Sequence, residues 1–122
     1  MSNKIEVSVK TTYMAEQTLP QQRYVYSYTI TVANEGDEAA QLMSRHWHIR
    51  DANDNVQEVR GVGVIGEQPH IAPGSSYTYT SGVVLETETG IMEGTYQMRA
   101  DSGVMFDAEI PAFALVPPYA IH

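Results

Sequence analysis

The stretch Tyr24–Val32, YVYSYTITV, places Tyr24, Tyr26, Tyr28, Ile30 and Val32 at every second position, with Ser27, Thr29 and Thr31 between them. A period of two sends alternate side chains to opposite faces of a pleated strand, and it builds no stripe on a helix. β-branched and aromatic residues also fit a half-buried pleated surface. The same rhythm recurs along the chain. Ile5, Val7, Val9 and Thr11 alternate with Glu6, Ser8 and Lys10. In Leu42–Arg50, Trp47 and Ile49 fall on one side and His46, His48 and Arg50 on the other. Short strands follow at Val56–Arg60 and around Tyr77 and Tyr79. Two more span Thr95–Asp101, with Tyr96, Met98 and Ala100 inward, and Val104–Ile110.

Turn chemistry separates these runs: Asn34–Glu38, Asp51–Asn55, Pro73-Gly74 and Asp101–Gly103. The stretch LETETGIMEG, acidic and bounded by glycine, reads as a loop. Pro111 interrupts the last ladder, and Phe113 and Leu115 continue its pattern beyond a bulge or bend. No segment of helical length carries an amphipathic helix pattern. The expected fold is all-β: one domain over residues 1–122, an immunoglobulin/fibronectin type III-like β-sandwich of about seven antiparallel strands in two sheets. Trp47, the only tryptophan, is placed to fill the space between the sheets. An indole buries on the order of 200 Å², worth at most about 5 kcal/mol at ~25 cal/mol/Å². Tyr96, just after Gly94, suits the tyrosine-corner position of such a sandwich.

Composition narrows the function classes. Without cysteine, a thiolate nucleophile, a zinc ribbon and a disulfide framework are excluded, and a reducing compartment is indicated. The opening residues, MSNKIEVSVK, lack the apolar core of a signal peptide, so the cytoplasm is the expected location. Fifteen acidic against seven basic residues give a formal net charge of −8. Such a chain repels phosphate backbones and anionic lipid, which argues against nucleic acid and membranes as partners. Arg45, Arg50 and Arg60 are expected to neutralise neighbouring acids.

Two motifs carry candidate chemistry. Gly61-x-Gly63-x-x-Gly66 spells a dinucleotide fingerprint, but that chemistry needs a helix opening at the glycines, and Pro69 and Pro73 leave no room for one. What remains open is an irregular loop, or an anion-binding nest of backbone N–H groups on Gly61, Gly63 and Gly66 assisted by Arg60. His46 and His48 lie two apart on one strand face, about 7 Å along the backbone. They are either two solvent-facing imidazoles or a pair able to bind zinc, cobalt or nickel with a third ligand from His70, Asp51 or His122. The acidic residues Glu86, Glu88 and Glu93 lack the regularity of a dedicated calcium loop. No G-x-S-x-G and no histidine–acid pattern around a nucleophile occurs, so no enzyme activity is expected.

Several separated blocks, in order, resemble the ApaG family: Arg45-His-Trp47 with Ile49 and Asp51, VQEVRGVGVIGEQP, IAPGSSYTYTSG, GTYQM and FDAEIPAFAL. The resemblance runs from Lys4 to Val116. It departs at Asp54-Asn55, where the family commonly has glycine, and at His48, where many relatives carry an apolar or β-branched residue. The resemblance implies a fibronectin-type-III-like sandwich associated in bacteria with divalent-cation homeostasis, notably cobalt sensitivity and magnesium efflux. Similar domains in a eukaryotic F-box protein and a polymerase-interacting protein imply protein binding. The expectation is therefore a binding or regulatory module for a protein partner, monomeric or a weak homodimer, with no obligate cofactor. The alternative is a phosphate-, nucleotide- or metal-binding protein using the Gly61–Gly66 loop and His46/His48.

Overall fold

The computed structural model describes residues 3–120. In chain order the strands are β1 (Ile5–Tyr13), β2 (Tyr24–Asn34), β3 (Ala40–Asp51), β4 (Val56–Val62), β5 (His70–Ile71), β6 (Ser76–Leu85), β7 (Gly90–Ala100) and β8 (Met105–Leu115). Short 3-10 turns occur at Ala15–Gln17 and Pro118–Ala120. Two antiparallel sheets form, one in the order β1-β2-β6 and one in the order β4-β3-β7-β8, with β5 beside the start of β3. β1 packs against β8 and closes one side of the sandwich.

The alternation read from the sequence decides what lies between the sheets. Tyr26, Ile30 and Val32 point inward from β2 and are buried against Leu42, Met92, Tyr96, Met98 and Leu115 of the opposite sheet. Trp47 is 2% exposed and lies edge-on to Tyr28 and Phe113, with ring centroids 5.5 and 5.9 Å away. Aromatic pairs of this kind add roughly 0.5–1.5 kcal/mol beyond buried area. The indole N–H is buried without a hydrogen-bond partner among the described residues, a cost of about 1–3 kcal/mol set against that packing.

Directly across β7 from Trp47 stands Gly94. A Cβ there would lie 2.2 Å from the His46 carbonyl oxygen, so the two strands approach in a way that only glycine allows. One turn is tied from inside. The buried Asn34 amide donates to the Glu38 and Ile71 carbonyls, both at 2.9 Å, while its oxygen accepts from Gly36 N–H.

The structure departs from the sequence reading in four places. Among the described residues there are eight strands where about seven are expected, the additional one being β5, only two residues long and too short to show a period. Most of the expected LETETGIMEG loop is strand: Leu85 ends β6, β7 begins at Gly90, and Met92 is buried in the core. Tyr96 is not a tyrosine corner, since its hydroxyl bonds to the Tyr79 hydroxyl of the facing sheet instead of to nearby backbone. The third strand carries a bulge at Met43, between the Leu42–Met98 and Ser44–Gln97 pairs. This extra residue switches the inward parity from Ala40 and Leu42 to Trp47 and Ile49. Pro111 does occupy a bulge, as its pattern suggested. Pro111 and Ala112 together stand opposite Glu93, and β8 continues through Phe113 to Leu115.

Trp47→Ala should cost about 3–5 kcal/mol in urea unfolding. Trp47→Phe should cost clearly less, because it keeps the ring packing and removes the unpaired donor. Burial pushes the Tyr79 and Tyr26 hydroxyls up to about 12, from 10.0 in the unfolded chain, and raises Tyr96 as well. The folded state then holds these protons while the unfolded chain releases them. Their contribution to stability is complete below pH 10 and is lost as pH rises from there toward 12. Urea midpoints measured at pH 9 and pH 11.5 should fall over that window; a flat profile would contradict the buried hydroxyl pair.

Candidate functional site

The outward face of the larger sheet gathers a cluster of titratable side chains around the β3–β4 hairpin. Asp51 shapes its turn: the carboxylate accepts from the Asn53 and Asn55 N–H groups at 2.8 and 3.0 Å. Partial desolvation works to raise the Asp51 pKa, but those two bonds and the Asn55 side chain outweigh it and hold the carboxyl below its ordinary value. Asp54 takes the left-handed conformation, φ 64°. Short Asn and Asp side chains tolerate that region. With the turn fixed, the register is fixed too, and Glu58 pairs with His48 while Arg60 pairs with His46.

His46 and His48 therefore meet a carboxylate from the neighbouring strand. His46 Nε2 lies 2.8 Å from Glu58 Oε1, and His48 Nε2 lies 3.9 Å from Glu58 Oε2. The two imidazoles are 4.6 Å apart between ring centroids. One ligand atom from each of His46, His48 and Glu58 fits within a mutual distance of 4.8 Å. Arg60 donates to Glu58 Oε1 at 2.9 Å. Hydrogen bonds from His46 and then Arg60 are the chief causes that hold the Glu58 carboxyl below the usual range, so it is an anion at neutral pH.

Beside this cluster opens a shallow cavity of about 350 Å³, lined by both histidines together with Glu93, Thr95, Glu109 and Pro111. Glu93 pairs with His48 across β3–β7, and Glu109 pairs with Thr95 across β7–β8. Three carboxylates thus flank two imidazoles on one face, with Arg60 as the basic neighbour.

Of the third ligands that the sequence offers, His70 and Asp51 do not join the pair. His70 lies instead against Asp101, Nε2 to Oδ1 2.7 Å, and Asp51 is occupied by its own turn. His122 lies outside the described residues. Glu58 is the side chain that stands beside both histidines, and its position follows from hairpin register, which the spacing of the histidines alone does not carry.

The glycine motif lies at one end of the same hairpin. Gly61 belongs to β4, where a Cβ would come within 2.7 Å of the Arg45 guanidinium lying across it. Arg45 Nη1 donates to the Val62 and Gly63 carbonyls at 3.2 and 2.7 Å. Gly63 has φ 60° and donates its N–H to Met43 O at 2.8 Å. Val64 and Glu67 exchange backbone bonds across Ile65 and Gly66, both with positive φ, the pattern of a type I′ turn. The next element is β5, a strand. Arg60 is directed to Glu58, which places it with the histidines rather than with the glycines.

With this arrangement in view, a family model described as the ApaG domain matches residues 15–100. The chain belongs to the ApaG family. A Protein ApaG from Ectopseudomonas mendocina is 55% identical over 120 residues, covering 98% of this chain and 95% of its own. Another, from Thiobacillus denitrificans, is 55% identical over 120 residues, with 98% and 94% covered. Among solved structures, a Bordetella pertussis protein named ApaA is 46% identical, with a TM-score of 0.92 and 95% of each chain covered. The ApaG fold is therefore the fold of this chain. No helix among the described residues is long and apolar enough to cross a membrane.

Gly63→Ala would set a Cβ 2.1 Å from the Glu67 carbonyl oxygen at an unfavourable φ. It should cost roughly 2–3 kcal/mol in chemical denaturation. Gly66→Ala meets no neighbouring atom and should cost only the smaller positive-φ penalty, near 1 kcal/mol.

Proposed function

We propose that this ApaG-family chain is a cytoplasmic, non-catalytic binding module that holds a divalent transition-metal cation on His46, His48 and Glu58 and presents that face to a protein partner. The observation that carries this reading is the convergence of two imidazoles and one carboxylate from adjacent strands within 4.8 Å. Two nitrogens and one oxygen from protein, with water completing the shell, suit zinc, cobalt or nickel better than magnesium, which prefers oxygen. A rigid antiparallel pair sets the ligand spacing, and Glu93 and Glu109 supply further negative charge beside it. The association of the resembling family with cobalt and magnesium handling supports the choice of a cation.

Binding must displace the His46–Glu58 and Arg60–Glu58 contacts and requires neutral imidazoles. Affinity for cobalt should therefore fall on acidification, as protons compete with the metal for the imidazole nitrogens. In calorimetry with cobalt and zinc at pH about 7.5, one site per chain is expected, and His46→Ala, His48→Ala and Glu58→Gln should each weaken it at least about tenfold. Arg60→Ala should tighten it by freeing the carboxylate. Flat titrations with the folded protein, or binding indifferent to both histidine substitutions, would remove this reading.

A further inference from the structure

We propose that the free edge of β6 accepts an extended segment of a partner protein as a fourth strand of the smaller sheet. This surface is separate from the cation site and does not depend on it.

Sheet edges expose unpaired N–H and C=O groups, and proteins ordinarily guard them with charge, proline or a bulge. Among the described residues, three of the four strands that end the main paths of the two sheets are guarded in that way. β1 carries Glu6 and Lys10, β4 carries Glu58 and Arg60, and β8 carries Asp107, Glu109 and the Pro111 bulge. β6 reads SYTYTSGVVL, with no charge, no proline and an unbroken register along β2. Among the described residues, no loop backbone bonds to it.

The sandwich is also one strand short at this side. β1 lies against β8, and the larger sheet has a strand more along its main path, so among the described residues the smaller sheet has no strand beyond β6 to face β4. Val59 shares the inward face of Trp47 and is nevertheless 38% exposed. Val62 is 72% exposed and Ile65 60%. Two cavities lie along this seam. One, of about 350 Å³, is walled by Trp47, Val59, Val64, Tyr79 and Ser81; the other, of about 130 Å³, by Gln57, Val84 and Leu85. A strand laid on β6 would cover the inner face of β4 and fill both.

Charge sets the direction and chemistry of the occupant. Arg45 lines the first cavity, whereas Asp51 and Glu86 line the second. A segment antiparallel to β6 would start beside Glu86 and finish beside Arg45. The partner segment is therefore extended, apolar at alternate positions, basic at its start and acidic at its end. Strand addition draws affinity from main-chain bonds and specificity from alternate side chains.

The test is titration of the full chain with the blocked peptide Lys-Thr-Val-Thr-Val-Thr-Glu, followed by calorimetry and amide hydrogen exchange. Binding below about 1 mM is expected, with protection of alternate β6 amides. N-methylation of one of the two alternate sets of peptide amides should abolish it, and reversing the terminal charges should weaken it. Ser81→Lys on β6 and Val59→Lys on β4 should each reduce affinity at least about tenfold while thermal unfolding stays cooperative. No binding by the folded wild type at millimolar peptide would overturn the proposal, as would binding indifferent to both sets of N-methyl groups. A dimer through β6 that the peptide cannot displace would assign the edge to a second copy of the chain and equally overturn it.

Discussion

Much of this structure depends on how closely β3 and β7 approach beside Trp47. The indole fills the space between sheets, and Gly94, its partner across the ladder, brings no side chain to hold the two backbones apart. The backbone contact there is so short that any Cβ would strike the His46 carbonyl. That close pairing has effects on both faces. Inward, it lets Trp47 lie edge-on to Tyr28 and Phe113. Outward, it leaves a shallow floor at Gly94 beside His46 and His48, bounded by Glu93 and Glu109. One glycine thus serves the core and the site behind it.

The electrostatics of the outer face follow from register rather than from overall charge. A chain of net charge −8 carries many surface acids, yet among the described residues it is the β3–β4 hairpin that brings a carboxylate to two imidazoles. Glu58 is shared by His46 and Arg60, and those two partners hold its pKa down. The cluster is a balanced set of opposite charges at rest. A cation held there as proposed would replace existing contacts rather than fill a void, and the Arg60 interaction would then tune its affinity.

Fold class was legible because its signal is local and repeated. Tyr26, Ile30 and Val32 declare their face within nine residues, and Trp47 with Ile49 does the same. What the sequence did not disclose depends on partners distant along the chain. The start of β7 hides in Thr87-Glu-Thr-Gly90, where turn chemistry masks Met92 as a core residue. β5 has too few residues to show any period. The Tyr79–Tyr96 hydroxyl contact joins residues on two different sheets, so local position suggested a corner motif instead. The two histidines were visible as a pair, but Glu58 needed the hairpin register, which rests on the length and geometry of the Asp51–Asn55 turn. The glycine spelling, conspicuous in one dimension, resolved into a strand end and a tight turn.

Met43 has a wider consequence. Leu42 and Trp47 are separated by an odd number of positions and still face the same way, because Met43 adds one uncounted step to the strand. A chain lacking that residue would have to choose between two incompatible halves of β3. Keeping Leu42 in place would turn the indole toward water and drive both imidazoles into oil; keeping Trp47 in place would evict Leu42. The hairpin's chemistry is therefore held the right way out by a single syllable of arithmetic in the backbone.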